Sequence, residues 1–158
     1  MILYLDTREQ LSLEDDFPKM VGVTLAKKAL PVGDYTASHL VNGQEVMDTT
    51  VIERKGIQDA FNSFTAGYDA ERNKILKAKA LGLTYIIAVE ASVTELLKGC
   101  SWWANGERHE HRKTGMAMLR QLCSIERKYG VSVWYCQNRK EMALRIQEYF
   151  LSYERVTA

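Results

Sequence analysis

Three consecutive charged residues end an apolar segment of the chain, in the stretch VIERKGIQDAFNSF at residues 51–64. Two strand-forming apolar residues lead directly into Glu53, Arg54 and Lys55. Because alternate residues of a strand lie on the same face, Glu53 and Lys55 point one way and Arg54 points the other way. The end of this strand therefore presents an acid and a base side by side.

A second acid is expected to reach the same place through a β-hairpin. Asn and Gly at residues 42–43 are a strong signal for a two-residue type I′ turn. The register of that turn places Asp34 opposite Val51, and one bulge or a slightly longer loop places it opposite Glu53 instead. Hairpin geometry alone thus brings two carboxylates within a few ångströms of each other, with Lys55 beside them.

This trio of side chains has the composition of a site for phosphodiester hydrolysis. Two close carboxylates repel each other unless a cation or a proton lies between them. Oxygen ligands suit a hard ion such as Mg²⁺ or Mn²⁺, which takes one or two carboxylates together with water and phosphate oxygens. A neighbouring lysine can orient the attacking water or stabilise the developing negative charge.

The elements that position these residues follow an α/β pattern. Residues 2–5 read as a short buried strand, and residues 23–41 and 44–55 read as extended segments on either side of a hairpin turn. Later segments alternate between helix and strand. They are predicted helices at 57–64, 68–82, 114–130 and 139–153, buried strands at 83–90 and 131–136, and a loop at 99–113. This order predicts a mixed central β-sheet flanked by helices on both faces.

Composition places few limits on the partner but some on the compartment. The chain has 158 residues, enough for one domain, and its 21 basic and 20 acidic residues give a net charge of +1, so any nucleic-acid surface must be local. Three widely spaced cysteines suggest buried thiols rather than a disulfide framework. The opening segment MILYLDTRE becomes charged too early for a signal peptide. We expect a soluble intracellular protein, cytoplasmic or nucleoid-associated, or nuclear if the host is eukaryotic.

The motifs together resemble a known nuclease family. GDY at 33–35 followed by ERKGIQD at 53–59, with DTRE at 6–9 upstream, is similar to the GD…ERKxxxD signature of XPF-type structure-specific endonucleases. These enzymes resemble the wider PD-(D/E)xK superfamily, whose restriction-endonuclease-like fold agrees with the predicted α/β order. The strand YIIAVE and the helix–strand pair at 114–136 also match the family's order, so the resemblance covers nearly the whole chain.

The resemblance implies a role for each matched residue. It implies that Asp34 and Glu53 bind Mg²⁺ or Mn²⁺, that Asp6 is a further ligand or lies just behind the metal, and that Lys55 is the catalytic lysine. Supporting positions in the active site are also implied, namely Glu9, Arg54 and Asp59. The family's DNA contacts suggest Arg8 as a phosphate ligand or as a brace for an acid, and Arg72 as a residue near the DNA path.

Several of these residues also have ordinary structural explanations. Asp34 follows a glycine and could form a turn, Asp6 and Glu9 could end a strand, and Asp59 is an acid favoured in the first turn of a helix. Glu90 could approach the site or lie at the surface. The segment GCSWWANGERHEHRK is similarly open. Its histidines, His109 and His111, are expected to be solvated rather than metal ligands, whereas a DNA-contacting loop would use Trp102, Trp103, Arg108, Arg112 and Lys113.

The sequence therefore predicts a metal-dependent DNA endonuclease acting on branched, flap or fork DNA in repair, recombination or replication. One alternative is a non-catalytic DNA-binding scaffold subunit, and another is a junction resolvase-like or RNA-directed nuclease. Residues 1–158 are expected to form a single nuclease domain without tandem helix-hairpin-helix motifs. DNA would then be held by this domain alone, by a second copy in a homodimer, or by a helper DNA-binding subunit. An apolar stripe on the last predicted helix is expected to be core or interface.

Overall fold

The computed structural model describes residues 1–153, which form a central β-sheet with helices on both faces. The strands are β1 (Ile2–Asp6), β2 (Thr24–Lys28), β3 (Tyr35–Val41), β4 (Gln44–Met47), β5 (Thr50–Gly56), β6 (Thr84–Glu90), β7 (Ser101–Ala104), β8 (Glu107–Glu110) and β9 (Ser132–Tyr135). The helices are α1 (Ile57–Ser63), α2 (Tyr68–Ala80), α3 (Val93–Leu97), α4 (Gly115–Tyr129) and α5 (Arg139–Leu151), with one 3₁₀ turn at Glu14–Asp16.

The main sheet is mixed, as the sequence predicts. Its strand order is β2-β1-β3-β5-β6-β9, and β4 pairs with β3 outside this path. The β5, β6 and β9 strands are parallel, as are β1 and β2, whereas β3 runs antiparallel to β1, β4 and β5. The centre of the sheet is therefore the place where an antiparallel hairpin joins a parallel α/β unit.

Alternation along the central strands sends side chains into two separate cores. Val51 and Ile87 belong to a core with α1, α2 and α4, whereas Ile52 and Ile86 belong to a core with α5. The sequence prediction of helices on both faces is thus confirmed. Because β5 separates two dry layers, its charged groups are confined to its carboxyl end, which lies at the rim of the sheet.

Two consecutive helices begin immediately after β5 and cover its end. In α1, Phe61 is fully buried, and Phe64 just beyond the helix is 1% exposed, in agreement with the apolar spacing in the sequence. In α2, the inward positions are Glu71, Ile75 and Ala78, which recur at helical spacing. Two of these residues are apolar core groups, so α2 carries an acid into the position nearest the end of β5.

The segment predicted as a loop at residues 99–113 is instead a second, two-stranded sheet. Its strands, β7 and β8, pair in an antiparallel hairpin with Trp103 opposite Arg108. Asn105 and Gly106 form the turn with φ values of 53° and 78°, the left-handed pair that a type I′ hairpin requires. This Asn-Gly signal matches the one at residues 42–43, and the prediction missed it because the flanking strands are short and largely exposed.

Two smaller observations concern composition. Cys100 and Cys136 are buried and free, as expected, but Cys123 is exposed on α4, so the prediction of buried thiols is wrong for that residue. Among residues 1–153, the helices are all too short or too polar to cross a membrane.

Candidate active site

The register between β3 and β5 differs from the register that the hairpin turn sets. Val41 pairs with Gln44 next to the turn, as predicted, and this register continues to Ser38 and Met47. Extended along the strand it would pair Tyr35 with residue 50, yet Tyr35 pairs with Ile52. Two extra residues are therefore accommodated between β4 and β5, and the shift moves Asp34 from Val51 to a position opposite Glu53.

Asp48 stabilises this local irregularity. Its backbone N–H donates to the carbonyl of Ala37 at 2.9 Å, and its Oδ1 accepts the backbone N–H of Thr50 at 2.7 Å. Its other carboxylate oxygen lies 3.3 Å from Nε2 of the buried His39. The side chain thus replaces the ladder hydrogen bonds that the bulge interrupts.

Gly33 allows the chain to enter the site at close quarters. It has a φ of +80°, and a Cβ built on it would lie 3.0 Å from Cβ of Val51. A larger residue would be strained in backbone and would crowd β5. The glycine of the GD motif is therefore required by geometry, because it brings the following aspartate against the end of β5.

Asp34 is held by backbone groups from two neighbouring strands. Its N–H donates to the carbonyl of Ile52 at 2.8 Å, and its carbonyl accepts the N–H of Asp6 at 2.8 Å. Its carboxylate Oδ2 accepts the backbone N–H of Arg54 at 2.7 Å. The ends of β1, β3 and β5 thus converge on this one residue.

The electrostatic setting of Asp34 favours its protonated form. Burial, together with the negative charges of Glu53 and Glu9, raises its pKa to about 8, and the hydrogen bond from the Arg54 backbone N–H opposes the shift. The carboxyl is therefore surrounded by more negative than positive charge. A bound cation would relieve this imbalance and return the group to its ionised form.

Glu53 and Lys55 lie on the same face of β5, as alternation predicts. Lys55 Nζ is 3.0 Å from Glu53 Oε1, and both side chains are about 5% exposed. Two further carboxylates contact the lysine, Glu71 at 3.0 Å and Asp59 at 3.3 Å. Burial alone would lower the pKa of Lys55, but Glu53 and Glu71 outweigh it and the pKa is raised. The lysine is thus a fixed cation that can donate hydrogen bonds but is a poor proton acceptor.

Glu71 is a site residue that the sequence analysis missed. It is 3% exposed, contacts Lys55, and accepts a hydrogen bond from the hydroxyl of Tyr85 at 3.3 Å. The available signal was its place at an inward position of α2, four residues before Ile75. An acid at such a position must have a buried partner, and Lys55 is that partner.

A cleft of about 450 Å³ opens beside the acids and has basic residues along its wall. Arg8, Lys74 and Lys77 contribute the positive charge, and Asp6, Asp34 and Glu53 contribute the negative charge. Lys74 and Lys77 are not predicted from the sequence, since the helix-forming composition of residues 68–82 does not indicate which lysines face the cleft. The combination of an acidic floor with basic walls suits a phosphate ester in the presence of a cation.

Asp6 lies in this cleft but is already engaged. Its Oδ2 is 2.8 Å from Arg8 Nε, and its Oδ1 accepts the N–H of Leu30 at 3.0 Å. Arg8 is in turn fixed by the carbonyl of Leu30 at 2.6 Å. Asp6 is therefore placed to brace Arg8, and a role as metal ligand remains a prediction that requires this contact to open.

Arg54 lies on the opposite face of β5, as predicted, and joins two acids there. It contacts Glu9 at 3.1 Å and Glu90 at 2.9 Å, which links β1 and β6 across β5. A second depression of about 530 Å³ lies on this side and includes Asp59 at its edge. Arg54 thus stabilises the frame of the site, and its backbone N–H, rather than its guanidinium, contacts Asp34.

The remaining predicted residues are spread over the surface near α1 and α2. Arg72 is half-exposed and lies 3.7 Å from Asp69, while its buried Nε has no hydrogen-bond partner among residues 1–153. Arg112 is exposed, and Lys113 Nζ is 3.4 Å from the carbonyl of Phe64. None of these three lines the cleft, so their contact with DNA remains a prediction.

The histidines of the second hairpin have structural contacts. His109 stacks on Trp102 at 5.8 Å, and His111 packs edge-on against Phe61 at 5.3 Å. Trp103, by contrast, is 74% exposed. Trp102 therefore supports the hairpin, whereas Trp103 is exposed to solvent.

The donor set fits a hard divalent cation held by two carboxylates. Across residues 1–153, no group of three or more His, Cys, Asp or Glu residues is arranged around a metal position. Asp34, which is partly buried, and Glu53, which is buried, nevertheless lie opposite each other and offer only oxygen donors. Mg²⁺ commonly binds through one or two carboxylates and completes its shell with water and substrate oxygens. These residues fit that pattern.

Comparison with solved structures defines the fold. XPF from Aeropyrum pernix matches 99% of this chain and 67% of its own chain, with 23% sequence identity and a TM-score of 0.64. XPF from Aeropyrum pernix in complex with DNA matches 98% of this chain and 65% of its own, with 22% identity and a TM-score of 0.63. The chain thus spans about two-thirds of these proteins and has the restriction-endonuclease-like fold of an XPF nuclease domain.

The family model of the ERCC4 domain matches residues 5–148. The chain therefore belongs to the ERCC4 domain family, which confirms the resemblance seen in its motifs. No curated protein sequence matches the chain.

Proposed function

We propose that this protein is a Mg²⁺- or Mn²⁺-dependent DNA endonuclease. The observation that carries the proposal is that Asp34 lies opposite the buried Glu53 at one strand end, with Lys55 Nζ 3.0 Å from Glu53. Membership of the ERCC4 domain family and the XPF nuclease fold support a nuclease, and a DNA complex of a structurally similar protein supports DNA as the substrate.

Each part of the cleft has a chemical task in this proposal. Asp34 and Glu53 would hold the cation, which when bound polarises the scissile phosphate and lowers the pKa of a water molecule. Lys55 donates hydrogen bonds to the water or to the charged phosphate oxygens, because its raised pKa keeps it protonated. Arg8 and Lys77 are positioned to bind the neighbouring phosphates.

Branched, flap or fork DNA is the proposed substrate, in an intracellular repair, recombination or replication process. The family resemblance supports a structured substrate. The exposed Trp103 supports a DNA with unpaired bases, since single-stranded bases stack on aromatic side chains. A second copy of the chain in a homodimer, or a helper subunit, would extend the contacts with DNA.

A scaffold subunit without catalysis is the second candidate. Against it, Asp34, Glu53 and Lys55 are all present and lie together at one strand end. In favour of it, both carboxylate oxygens of Asp6 accept hydrogen bonds from protein donors. This expected metal ligand therefore has a structural role. The substrate test separates the two candidates.

The test is a cleavage panel with four-way junction, flap, fork, duplex DNA and single-stranded RNA in Mg²⁺. We expect cleavage of at least one branched DNA and its loss in Glu53→Gln. Glu95→Gln is the matched control, because Glu95 is an exposed acid on α3 whose ion pair is with Lys98. Branched-DNA binding without cleavage by the wild type supports the scaffold, and cleavage restricted to four-way junctions or to RNA supports the other nuclease classes.

A further inference from the structure

Two lysines share one carboxylate oxygen at the centre of the cleft. Oε1 of Glu53 lies 3.0 Å from Lys55 Nζ and 2.5 Å from Lys74 Nζ. The two lysines differ in their freedom, since the Lys55 side chain is 5% exposed and that of Lys74 is 43% exposed. Lys74 can therefore leave Glu53 for solvent or for a ligand without breaking the core.

Lys55 has fixed partners, whereas Lys74 does not. Lys55 is held by Glu71 and Asp59 in addition to Glu53. The second contact of Lys74, with Glu71, is 3.7 Å, and this acid lies closer to Lys55. The contact of Lys74 with Glu53 is thus its main attachment, and Glu53 keeps Lys55 as a partner when Lys74 leaves.

Lys74 also lies on a basic stripe that faces the cleft. Ala70, Asn73, Lys74 and Lys77 line it from α2 at helical spacing. Lys77 is exposed and makes no ion pair with any residue between 1 and 153. A lysine that turned from Glu53 along the cleft would join Lys77 one turn further on and complete a binding site for a phosphodiester backbone.

We propose that Lys74 is a substrate-binding residue that neutralises Glu53 while the cleft is empty and transfers to a DNA phosphate when a divalent cation binds Glu53. The inference rests on the proposed metal site of the nuclease. The physical reason is competition, because an ammonium group and a metal ion cannot both occupy the same carboxylate oxygen at bonding distance. The metal charge then repels the ammonium towards the nearest anion, which is the incoming phosphate.

This exchange predicts a pattern that a purely structural ion pair does not produce. Without metal, Lys74 is occupied by Glu53, so its removal has little effect on DNA affinity. With metal, Lys74 contacts phosphate, so its removal weakens DNA binding. Lys77, which does not contact Glu53, contributes to DNA affinity equally in both conditions. The dependence of the Lys74 effect on metal is therefore the signature of the exchange.

The experiment combines two binding measurements on the folded protein. Mn²⁺ binding is titrated calorimetrically for wild type, Lys74→Met, Lys77→Met, Lys79→Met and Glu53→Gln. Binding of a fork DNA is then measured by anisotropy without metal and with non-cleaving Ca²⁺, over a range of salt concentrations. Lys79 is the matched control, since it is exposed on α2 and lies outside the lining of the cleft.

We expect Lys74→Met to bind Mn²⁺ roughly three- to tenfold more tightly than wild type, because the competing charge is gone. Its DNA affinity should fall only in Ca²⁺, and there the slope of log affinity against log salt should decrease by about one phosphate contact. Lys77→Met should weaken DNA binding with and without Ca²⁺.

Unchanged Mn²⁺ affinity in Lys74→Met, or an equal increase in Lys77→Met, overturns the exchange, since either excludes specific competition at Glu53. A loss of DNA affinity in Lys74→Met that is the same with and without Ca²⁺ also overturns it. If Glu53→Gln binds Mn²⁺ as wild type does, the metal site itself is wrong and the exchange falls with it. Failure of the metal site can be distinguished from failure of the exchange, because the first is seen in Glu53→Gln and the second in Lys74→Met.

Discussion

Tyr35 pairs with Ile52, two residues beyond the partner that the hairpin turn alone would give it. This single displacement brings Asp34 opposite Glu53 and so creates the acidic pair. Asp48 supports the displacement by accepting the N–H of Thr50. The geometry of the proposed active site thus depends on an irregularity elsewhere in the sheet. At about 3.3 Å per residue, that irregularity lies more than ten ångströms from the acids along the chain.

Replacement of Asp48 by alanine is expected to destabilise the protein by about 1–3 kcal/mol, because the Thr50 N–H loses its acceptor. The cleavage rate should also fall, since β5 can then slip towards the register set by the turn. Urea unfolding and single-turnover cleavage measure the two effects. The control is Gln44→Ala on the same hairpin, an exposed change expected to stay within about 0.5 kcal/mol. A normal stability and rate in Asp48→Ala would show that the bulge does not depend on this side chain.

Asp34 should make the stability of the metal-free protein depend on pH. Its folded-state pKa is raised to about 8, so its contribution is fully present below the ordinary carboxyl pKa near 4 and is lost as the pH rises through 8. The amide of Asp34→Asn does not ionise, so this variant does not lose stability over that pH range. We therefore expect its Tm to exceed that of wild type by an amount that grows from pH 4 to pH 8.

Differential scanning fluorimetry in chelator measures the effect. Saturating Mn²⁺ should reverse the order at pH 8, because only the wild type gains from the bound cation. Parallel pH profiles for wild type and Asp34→Asn would contradict the raised pKa.

Glu71 is expected to position Lys55. Glu71→Ala removes one partner of a buried cation and should cost about 3 kcal/mol of the free energy of unfolding. Glu71→Gln keeps the shape and the acceptor for Tyr85, and we expect it to fold with a cleavage rate reduced by about tenfold. The Mg²⁺ concentration for half-maximal rate should not change in Glu71→Gln, since Glu71 is not a proposed ligand. A shift in that concentration without a loss of rate would assign Glu71 to the metal instead.

The two tryptophans of the β7–β8 hairpin should respond differently to replacement. Trp103 is 74% exposed, and if it stacks on an unpaired base, Trp103→Ala should weaken binding of a fork or flap by about 1–3 kcal/mol and leave Tm unchanged. Trp102 stacks on His109, so Trp102→Ala should lower Tm. Anisotropy with fork and with fully duplex DNA checks the first effect. An equal loss on both DNAs would argue against base stacking.

The sequence predicted which residues gather at the end of β5 better than it predicted their arrangement. The alternation of Glu53 and Lys55 follows from the period of a strand and holds in the structure. The partner of Asp34 was left open because a bulge of unknown size could not be read from residues alone. The engagement of Asp6 Oδ1 depends on the position of Leu30, which is 24 residues away in sequence.

Long-range pairing also explains the residues that were missed. Glu71 and Lys74 reach the site only because α2 packs over the end of β5. Apart from the helical spacing of Glu71 from Ile75, the helix gives no sign of which charged residues face inwards. The second hairpin carried a local signal, Asn105-Gly106, but its strands are short and bury little surface. Local patterns therefore predicted the main sheet and its helices, whereas tertiary packing determined the walls of the cleft.

The most direct test of the proposed metal-dependent nuclease is single-turnover cleavage of a fork or flap DNA as a function of Mg²⁺ concentration. We expect Asp34→Asn and Glu53→Gln to lose at least about a hundredfold in rate and to require more Mg²⁺, while Lys55→Met loses rate at an unchanged Mg²⁺ requirement. Glu95→Gln should match wild type. Cleavage by Asp34→Asn and Glu53→Gln at the wild-type rate and Mg²⁺ dependence would contradict the assignment of the active site to these residues.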